Sequence, residues 1–331
     1  MSQTDSTSAR SETIVIRANG LHKSYADTVA VQDLSFTVEA GKVIGILGPN
    51  GAGKTTTINM LTTLIEIDQG SASIAGFDVA TSSHAVRQLI GLAGQSAAVD
   101  EKLTARENLR LFGRFYKIPR DTLHDRIEEL ITEFDMAEYA DRPAETYSGG
   151  QRRRLDVVAA LVANPPALFL DEPTTGLDPR SRAAIWDAIT TLAANGTAIV
   201  LTTQYLEEAD RLADEILLID RGVAVAKGTP AELKRRLDGD VLDVHIASNE
   251  GFDSALEVLQ GTSLSTADRE AGLIQIPVDN TAVSSLNILR KLDDTGIDLV
   301  DFQLRRPTLD DVFLAFTEDP SSTPVRRETS Q

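Results

Sequence analysis

Apolar residues in this chain gather in short continuous runs. Lys42-Val43-Ile44-Gly45-Ile46-Leu47, Ala167-Leu168-Phe169-Leu170 and Thr197-Ala198-Ile199-Val200-Leu201 are of this kind. Such runs suit strands covered on both faces in a parallel sheet. Between them lie Gly-bounded turns and stretches of helical periodicity, among them residues 103–115 and 123–134. The alternation over residues 14–230 predicts an α/β domain. After Gly228-Thr229-Pro230 comes a short helix over 231–237, and then the pattern changes. Residues 240–319 read as a strand at 241–248, a helix at 252–260, a weak strand near 263–267 and a strand at 273–278. A helix at 282–294 and a strand at 299–305 follow. A last helix over 308–316 opens on Thr308 as N-cap, with Asp310 and Asp311 in its first turn.

The βαββαβ order of the second stretch is that of a ferredoxin-like module. The expected organisation is a polar, disordered tail at 1–13, a large domain at 14–237, a small α+β domain at 238–319 and a second polar tail at 320–331. A length of 331 residues agrees with two domains at about 150 residues each. The hydrophobic share of 42% and charged share of 25% suit a well-cored protein.

Charge removes one class of partner. Fifty acidic against 32 basic side chains leave a net −18, which argues against a nucleic-acid surface, because phosphate binding needs a basic face. No cysteine is present, which removes disulfides, thiolate metal sites and Cys nucleophiles. His22, His84, His124 and His245 lack metal-ligand spacing, so no zinc site is expected. No apolar run approaches the ~20 residues of a membrane span. The densest stretch, 157–170, is broken by Asn164-Pro165-Pro166. The first thirteen residues are Ser/Thr-rich without an apolar core and do not read as a signal peptide. The chain is therefore expected not to cross a membrane by itself.

The chemistry begins at Gly48-Pro49-Asn50-Gly51-Ala52-Gly53-Lys54-Thr55, which fits GxxxxGK[ST]. It follows a predicted strand at 43–47 and opens a predicted helix at 55–64, the context the motif requires. Glycines let backbone N–H groups turn toward phosphate oxygens, and the helix N-terminus adds partial positive charge. Lys54 is expected to reach the β- and γ-phosphates, Thr55 to coordinate Mg²⁺, and Thr56 to extend the phosphate contacts. Asp171 and Glu172 end the buried run at 167–170. Downstream of a phosphate loop, an Asp so placed is expected to hold Mg²⁺, and the Glu beside it to polarise a water aimed at the γ-phosphate. Twenty positions before Asp171, Ser148-Gly149-Gly150-Gln151 opens a helix predicted to run to residue 162. Ser and two Gly at a helix start make a second candidate anion site.

With the phosphate loop before it and Leu170-Asp171-Glu172-Pro173-Thr174-Thr175-Gly176-Leu177-Asp178-Pro179 after it, Tyr147-Ser148-Gly149-Gly150-Gln151 resembles the LSGGQ signature of ATP-binding-cassette ATPases, with Tyr147 in place of Leu. The resemblance implies the rest of the site. Tyr25 would stack on adenine. Gln95, in Leu92-Ala93-Gly94-Gln95, would touch Mg²⁺ and the attacking water and sense the membrane partner. Asp178 would belong to the loop that crosses to the other subunit. A helical subdomain at about 96–148 would dock the permease. Two copies would pair head-to-tail, with each ATP between the phosphate loop of one and the Ser148–Gln151 helix of the other.

Where the family usually has a switch His, this chain has Gln204, in Thr202-Thr203-Gln204-Tyr205-Leu206-Glu207-Glu208-Ala209-Asp210. Glutamine can donate a hydrogen bond to a phosphate oxygen but cannot carry a charge or pass a proton. It is read as a working substitute that leaves the base role to Glu172. That run, the stretch Ala98-Val99-Asp100-Glu101 after Gln95, and Arg306-Pro307-Thr308-Leu309-Asp310-Asp311-Val312-Phe313-Leu314 look like the daunorubicin/doxorubicin-resistance branch, which serves ABC-2-type exporters. The implied function is an ATP-hydrolysing motor on the cytoplasmic face of the membrane, peripheral, joined to a separate permease, exporting amphipathic drugs or complex lipids. The alternatives are a non-transport cassette ATPase and a nucleotide-dependent regulator. Arg152-Arg153-Arg154 is read as positive potential near the γ-phosphate and partner, and Trp186 as core packing.

Overall fold

A computed structural model describes residues 13–94, 98–237, 239–260, 264, 266–278 and 282–317. Gln95 and the expected tails, Thr13 apart, lie outside them. The chain divides into two compact units, residues 1–227 and 228–331.

In the first unit, β1 (Ile14–Tyr25) and β2 (Thr28–Glu39) form an antiparallel hairpin closed by the pair Tyr25 and Thr28. Then come β3 (Val43–Leu47), α1 (Lys54–Leu61), β4 (Gln69–Ile74), β5 (Phe77–Asp78), α2 (Ser83–Leu89) and β6 (Ile90–Ala93). Three helices follow, α3 (Ala105–Phe115), α4 (Arg120–Glu133) and α5 (Gly149–Ala160). The unit closes with β7 (Ala167–Asp171), α6 (Pro179–Ala194), β8 (Ala198–Thr203), α7 (Leu206–Leu212), β9 (Glu215–Asp220) and β10 (Val223–Gly228).

One sheet has the order β2-β1-β4-β5 and the other β10-β9-β3-β8-β7-β6. The second is parallel from β9 through β6. Every residue of β3, β7 and β8 is buried, as continuous apolar runs require. Alternate residues serve two cores. Leu168, Leu170, Ile199 and Leu201 pack with α3 to α6. Ala167, Phe169, Ala198 and Val200 pack with the hairpin and α1. Strand order decides the site: β8 lies between β3 and β7, so the carboxyl ends of all three sit side by side, where open α/β sheets bind ligands.

Helix ends differ from the sequence reading where local chemistry intervenes. α1 stops at Leu61 rather than residue 64, because Thr63 takes a left-handed φ of 65°. α3 starts at Ala105 rather than 103, because Thr104 and Glu107 form a capping box. α5 ends at Ala160 rather than 162, ahead of Asn164, which has a φ of 48°.

The second unit holds α8 (Pro230–Arg235), β11 (Asp240–Ile246), α9 (Asn249–Val258), β12 (Thr266–Asp268), β13 (Leu273–Val278), α10 (Ala282–Asp294), β14 (Leu299–Arg305) and α11 (Leu309–Thr317). The sequence pattern put α8 with the first domain; it belongs to this unit and packs against α11. The sheet order β12-β13-β11-β14, with every pair antiparallel, is the ferredoxin-like arrangement. Leu242, Val244, Ile246, Ile274 and Ile276 face its core with Phe252 and Leu292. Arg305 of β14 pairs with Asp243 of β11 and with Asp311 of α11, fastening the last helix to the sheet. Burial pushes the Asp311 carboxyl up, but Arg305 and the Thr308 N–H and hydroxyl outweigh it, so it sits below its ordinary value.

Candidate functional site

The turn from β3 into α1 is built on glycines whose conformation or packing disfavours a side chain. Gly51 and Gly53 have φ of 84° and 104°, the left-handed region. A Cβ at Gly53 would lie 2.3 Å from the Ala30 carbonyl oxygen, and one at Gly48 the same distance from that of Ile219. The loop therefore wedges between β2 and the end of β9, and the hairpin that carries Tyr25 is packed directly on it. Tyr25 itself is half exposed at the hairpin end, with the Lys23 ammonium 5.8 Å from its ring centre.

Lys54 is 4% exposed. Its Nζ donates to the carbonyls of Gly48 at 2.8 Å and Pro49 at 3.1 Å, and lies 3.2 Å from Glu172 Oε1. Thr55 Oγ1 donates to Asp171 Oδ1 at 3.3 Å. So β3, α1 and β7 bring Lys54, Thr55, Asp171 and Glu172 together. α1 starts without a side-chain cap on its first-turn N–H groups, and those of Thr55 and Thr56 are ones a helix cannot satisfy itself.

Thr202 was not expected from the sequence. At the end of β8, its hydroxyl donates to Asp171 Oδ1 at 2.5 Å and accepts from the Glu172 N–H at 3.1 Å. One buried hydroxyl thus orients both acids. Glu172 adopts a left-handed φ of 49°, a conformation costing an L-residue about 1–2 kcal/mol. Its N–H bonds to Thr202, and its carbonyl accepts from Arg153 Nη2 at 3.2 Å.

The three arginines of the Arg152–Arg154 run, read as positive potential near the γ-phosphate and partner, each take separate partners. Arg152 pairs with Glu101, and Arg154 donates to the Phe134 and Asp135 carbonyls. Arg153 turns inward to the carbonyls of Gly94, Asp171, Glu172 and Pro173. Burial pulls its guanidinium below the ordinary value, with Asp156, Asp171 and Glu208 opposing.

At the start of α5, Ser148 Oγ accepts from the Gln151 N–H at 3.2 Å while Gln151 Oε1 accepts from the Ser148 N–H at 3.0 Å. This capping box engages Ser148 and Gln151 with each other. Gly149 and Gly150 then supply the first-turn N–H groups that helix geometry leaves without an internal acceptor. Gly150 is required by packing, since a Cβ there would meet Ser181 Oγ at 2.2 Å. Asp178 caps α6, accepting from the Arg180 and Ser181 N–H groups and from the Ser181 hydroxyl. The Ser181 hydroxyl and those backbone N–H groups hold its carboxyl below the usual range. Tyr147, at the position of the family's Leu, is buried, meets Tyr139 edge-on at 4.9 Å and donates its hydroxyl to the Tyr139 carbonyl. The larger residue is accommodated because its polar end finds an acceptor.

Asn50, Gly51, Gly149, Arg152, Glu172 and Gln204 front one cavity of about 690 Å³. Gln204 therefore sits with Glu172, whereas Lys54, Thr55, Asp171, Tyr25 and Asp178 do not line this space. Behind Gln204, buried Glu208 accepts from Trp186 Nε1 at 2.9 Å and Thr174 Oγ1 at 2.8 Å. Trp186 is core, as read, but also a hydrogen-bond donor. Among the described residues no cluster of three or more His, Cys, Asp or Glu is placed to cage a metal. Thr55 and Asp171 form a sparse pair of hard oxygen donors, which suits Mg²⁺ shared with substrate phosphates and water.

Residues 31–175 match the family model described as ABC transporter, and residues 228–317 the one for the DrrA1-3-like ATP-binding protein C-terminal domain. The daunorubicin resistance ATP-binding protein DrrA3 of Streptomyces coeruleorubidus is 45% identical over 304 residues, 92% of this chain and 96% of the relative. The chain belongs to the ABC transporter ATPases of the daunorubicin/doxorubicin-resistance type. The doxorubicin resistance ATP-binding protein DrrA of Mycobacterium tuberculosis is a similar ABC ATPase, 43% identical and covered over 95% of this chain and 97% of its own length. The Nod factor export ATP-binding protein I of Ralstonia nicotianae is 41% identical, covering 70% of this chain and 73% of its own. Among solved structures, an ATP-binding subunit of an ABC transporter matches with TM-score 0.62 at 29% identity, over 67% of this chain and 92% of that one. An ATP-binding cassette in its ADP conformation matches with TM-score 0.59 at 25% identity, over 66% and 92%. As an ABC cassette of this type, the chain is an ATPase.

Proposed function

We propose that this ABC ATPase is the motor subunit of an ABC-2-type exporter for amphipathic drugs or complex lipids. It works as a homodimer at the cytoplasmic face of the membrane, held there only by a separate permease. The observation that carries this is the meeting of Lys54, Thr55, Asp171 and Glu172 at the carboxyl ends of β3 and β7, with Gln204 after β8 and Gly149 of α5 lining one cavity with Glu172. The names of the relatives, which concern resistance to daunorubicin and doxorubicin and Nod factor export, support the cargo class. No helix among the described residues is long and apolar enough to cross a membrane.

In this mechanism the Gly48–Thr55 loop and Lys54 bind the phosphate chain of ATP, and Tyr25 stacks on the adenine. Thr55 and Asp171, with Gln95, would hold Mg²⁺, which neutralises charge developing on the β- and γ-phosphates. Glu172 orients a water in line with the γ-phosphorus and takes its proton as the water oxygen bonds to phosphorus and the β–γ bridging bond breaks. Gln204 donates a hydrogen bond to a γ-phosphate oxygen. In the dimer, Ser148–Gln151 closes over the ATP of the other copy, and the Asp178 loop crosses to it. The net −18 does not hinder this, since ATP's charge is met locally by Lys54 and two helix ends.

The test is expression of the full chain with a multi-span membrane protein from a neighbouring gene, where one is encoded. Co-purification of the two, and turnover of ATP that rises with candidate drug or lipid, is the expected result. A chain that hydrolyses ATP but stays out of the membrane fraction in the presence of that protein favours the non-transport alternative.

A further inference from the structure

Arg153 has five N–H donors, and each meets an acceptor. Nε donates to the Pro173 carbonyl at 2.8 Å. Nη2 donates to those of Asp171 at 3.1 Å and Glu172 at 3.2 Å. Nη1 donates to the Gly94 carbonyl and to Asp156 Oδ2, the latter at 3.3 Å. Asp156, one turn along α5 and 2% exposed, in turn accepts from the Ala98 N–H at 2.7 Å. The planar fork is thus used in full, and lysine, with three donors on a point charge, cannot replace it.

Four of the five acceptors are backbone carbonyls, and three of those belong to consecutive residues centred on Glu172. A side chain on α5 therefore holds the main chain that aims the hydrolytic carboxylate. The same helix begins at Ser148, less than two turns away, where Gly149 opens on the cavity shared with Glu172 and Gln204. Hydrogen bonds of 2.8–3.2 Å tolerate displacements of only a few tenths of an ångström. A shift of the α5 N-terminus is accordingly transmitted to residues 171–173 with little slack.

We propose that Arg153 is a positioning residue that couples the Ser148-capped end of α5 to Glu172. A phosphate engaged by that helix end sets the backbone of the carboxylate that works on the chain's own ATP. This rests on the reading that α5 meets the nucleotide of a second copy, and it makes Arg153 a source of cooperativity between the two ATP sites.

The experiment compares the full chain with Arg153→Lys and Arg153→Met in steady-state ATP hydrolysis and in equilibrium ATP binding. Light scattering of Glu172→Gln with and without ATP reports pairing. The expected result for both variants is a kcat lowered about tenfold or more, with ATP affinity within about twofold of wild type. The Hill coefficient falls from near 2 toward 1. Mere loss of stability lowers the active fraction and scales kcat without touching the Hill coefficient. Wild-type kcat and cooperativity in Arg153→Lys overturn the proposal, as does a fall in ATP binding that accounts for the whole loss of rate. Should Arg153→Met fail to fold, Arg153→Lys decides. If Glu172→Gln does not pair with ATP, the two-copy reading itself fails. If it pairs while Arg153→Lys stays cooperative, only the role of Arg153 fails.

Discussion

Lys54 Nζ lies 3.2 Å from Glu172 Oε1, with both side chains almost wholly buried. The ammonium that is to receive phosphate oxygens is thus already shared with the carboxylate that is to activate water. Phosphate and Glu172 compete for one cation, and a carboxylate beside a phosphate chain also repels it. Glu172→Gln removes both effects and keeps the shape. The expected outcome is turnover reduced about 100-fold or more, from loss of the base, with ATP bound several-fold more tightly. Turnover and equilibrium binding measured on one preparation check both halves. Near-wild-type turnover would place the base elsewhere.

Gln204 shares its cavity with Glu172 and Gly51 and can donate one hydrogen bond toward a phosphate oxygen. Gln204→His keeps a donor in place and should retain ATP turnover within about threefold of wild type. Gln204→Ala removes it and should cost about tenfold in kcat with KM little changed, the pattern of a contact made in the transition state. Steady-state kinetics of the two variants distinguish a working switch from a degenerate one. Equal activity in all three chains would make Gln204 a bystander.

Thr202 carries two bonds through one oxygen, to Asp171 Oδ1 and from the Glu172 N–H. Thr202→Val is nearly isosteric and removes both, leaving a buried carboxylate oxygen and a left-handed backbone with less support. The expected loss is about 1–3 kcal/mol of stability, or about 2–4 °C in Tm for each kcal/mol in a unit the size of residues 1–227. Turnover should fall further than the unfolded fraction explains. Thr202→Ser, which keeps the hydroxyl, should recover most of both, read by thermal melting and ATPase rate.

The difference between what could and could not be read from the sequence lies in how far each contact reaches. Gly48 to Thr55 is a local motif between a strand and a helix, and its conformation follows from glycines at fixed offsets. Asp171 and Glu172 could be placed because a buried run must end at a sheet edge. Thr202 could not, since it meets Asp171 only because β8 lies between β3 and β7, a fact of strand order. Arg153 was hidden by composition: in a run of three arginines, only the fold shows that one faces Glu101, one the end of α4 and one the backbone of Glu172. In the second unit the element order was legible from pattern alone. The placement of α8 was not, because its contact with α11 joins segments more than 70 residues apart in sequence.

Glu208 links three segments behind the cavity: Thr174 after β7, Trp186 in α6 and its own helix behind Gln204. Burial pushes its carboxyl above the ordinary value, opposed by hydrogen bonds from Thr203, Trp186 and Thr174. The sign of the pH effect follows. A carboxyl whose folded pKa is raised contributes fully below its unfolded value of about 4.3. That contribution is lost as pH climbs from there through the raised folded value, at no more than about 1.4 kcal/mol per pH unit. Glu208→Gln cannot titrate, and its carbonyl still accepts from Trp186 and Thr174. The Tm difference between Glu208→Gln and wild type should therefore grow in favour of the variant as pH rises from about 4.3 through the raised folded value. Trp186 is the only tryptophan, so its fluorescence reports this contact directly. Glu208→Ala should shift its emission to the red as the indole loses its acceptor and the space is hydrated, and Glu208→Gln should not. A Tm difference that does not change with pH would mean that Glu208 holds the same protonation state folded and unfolded across the range.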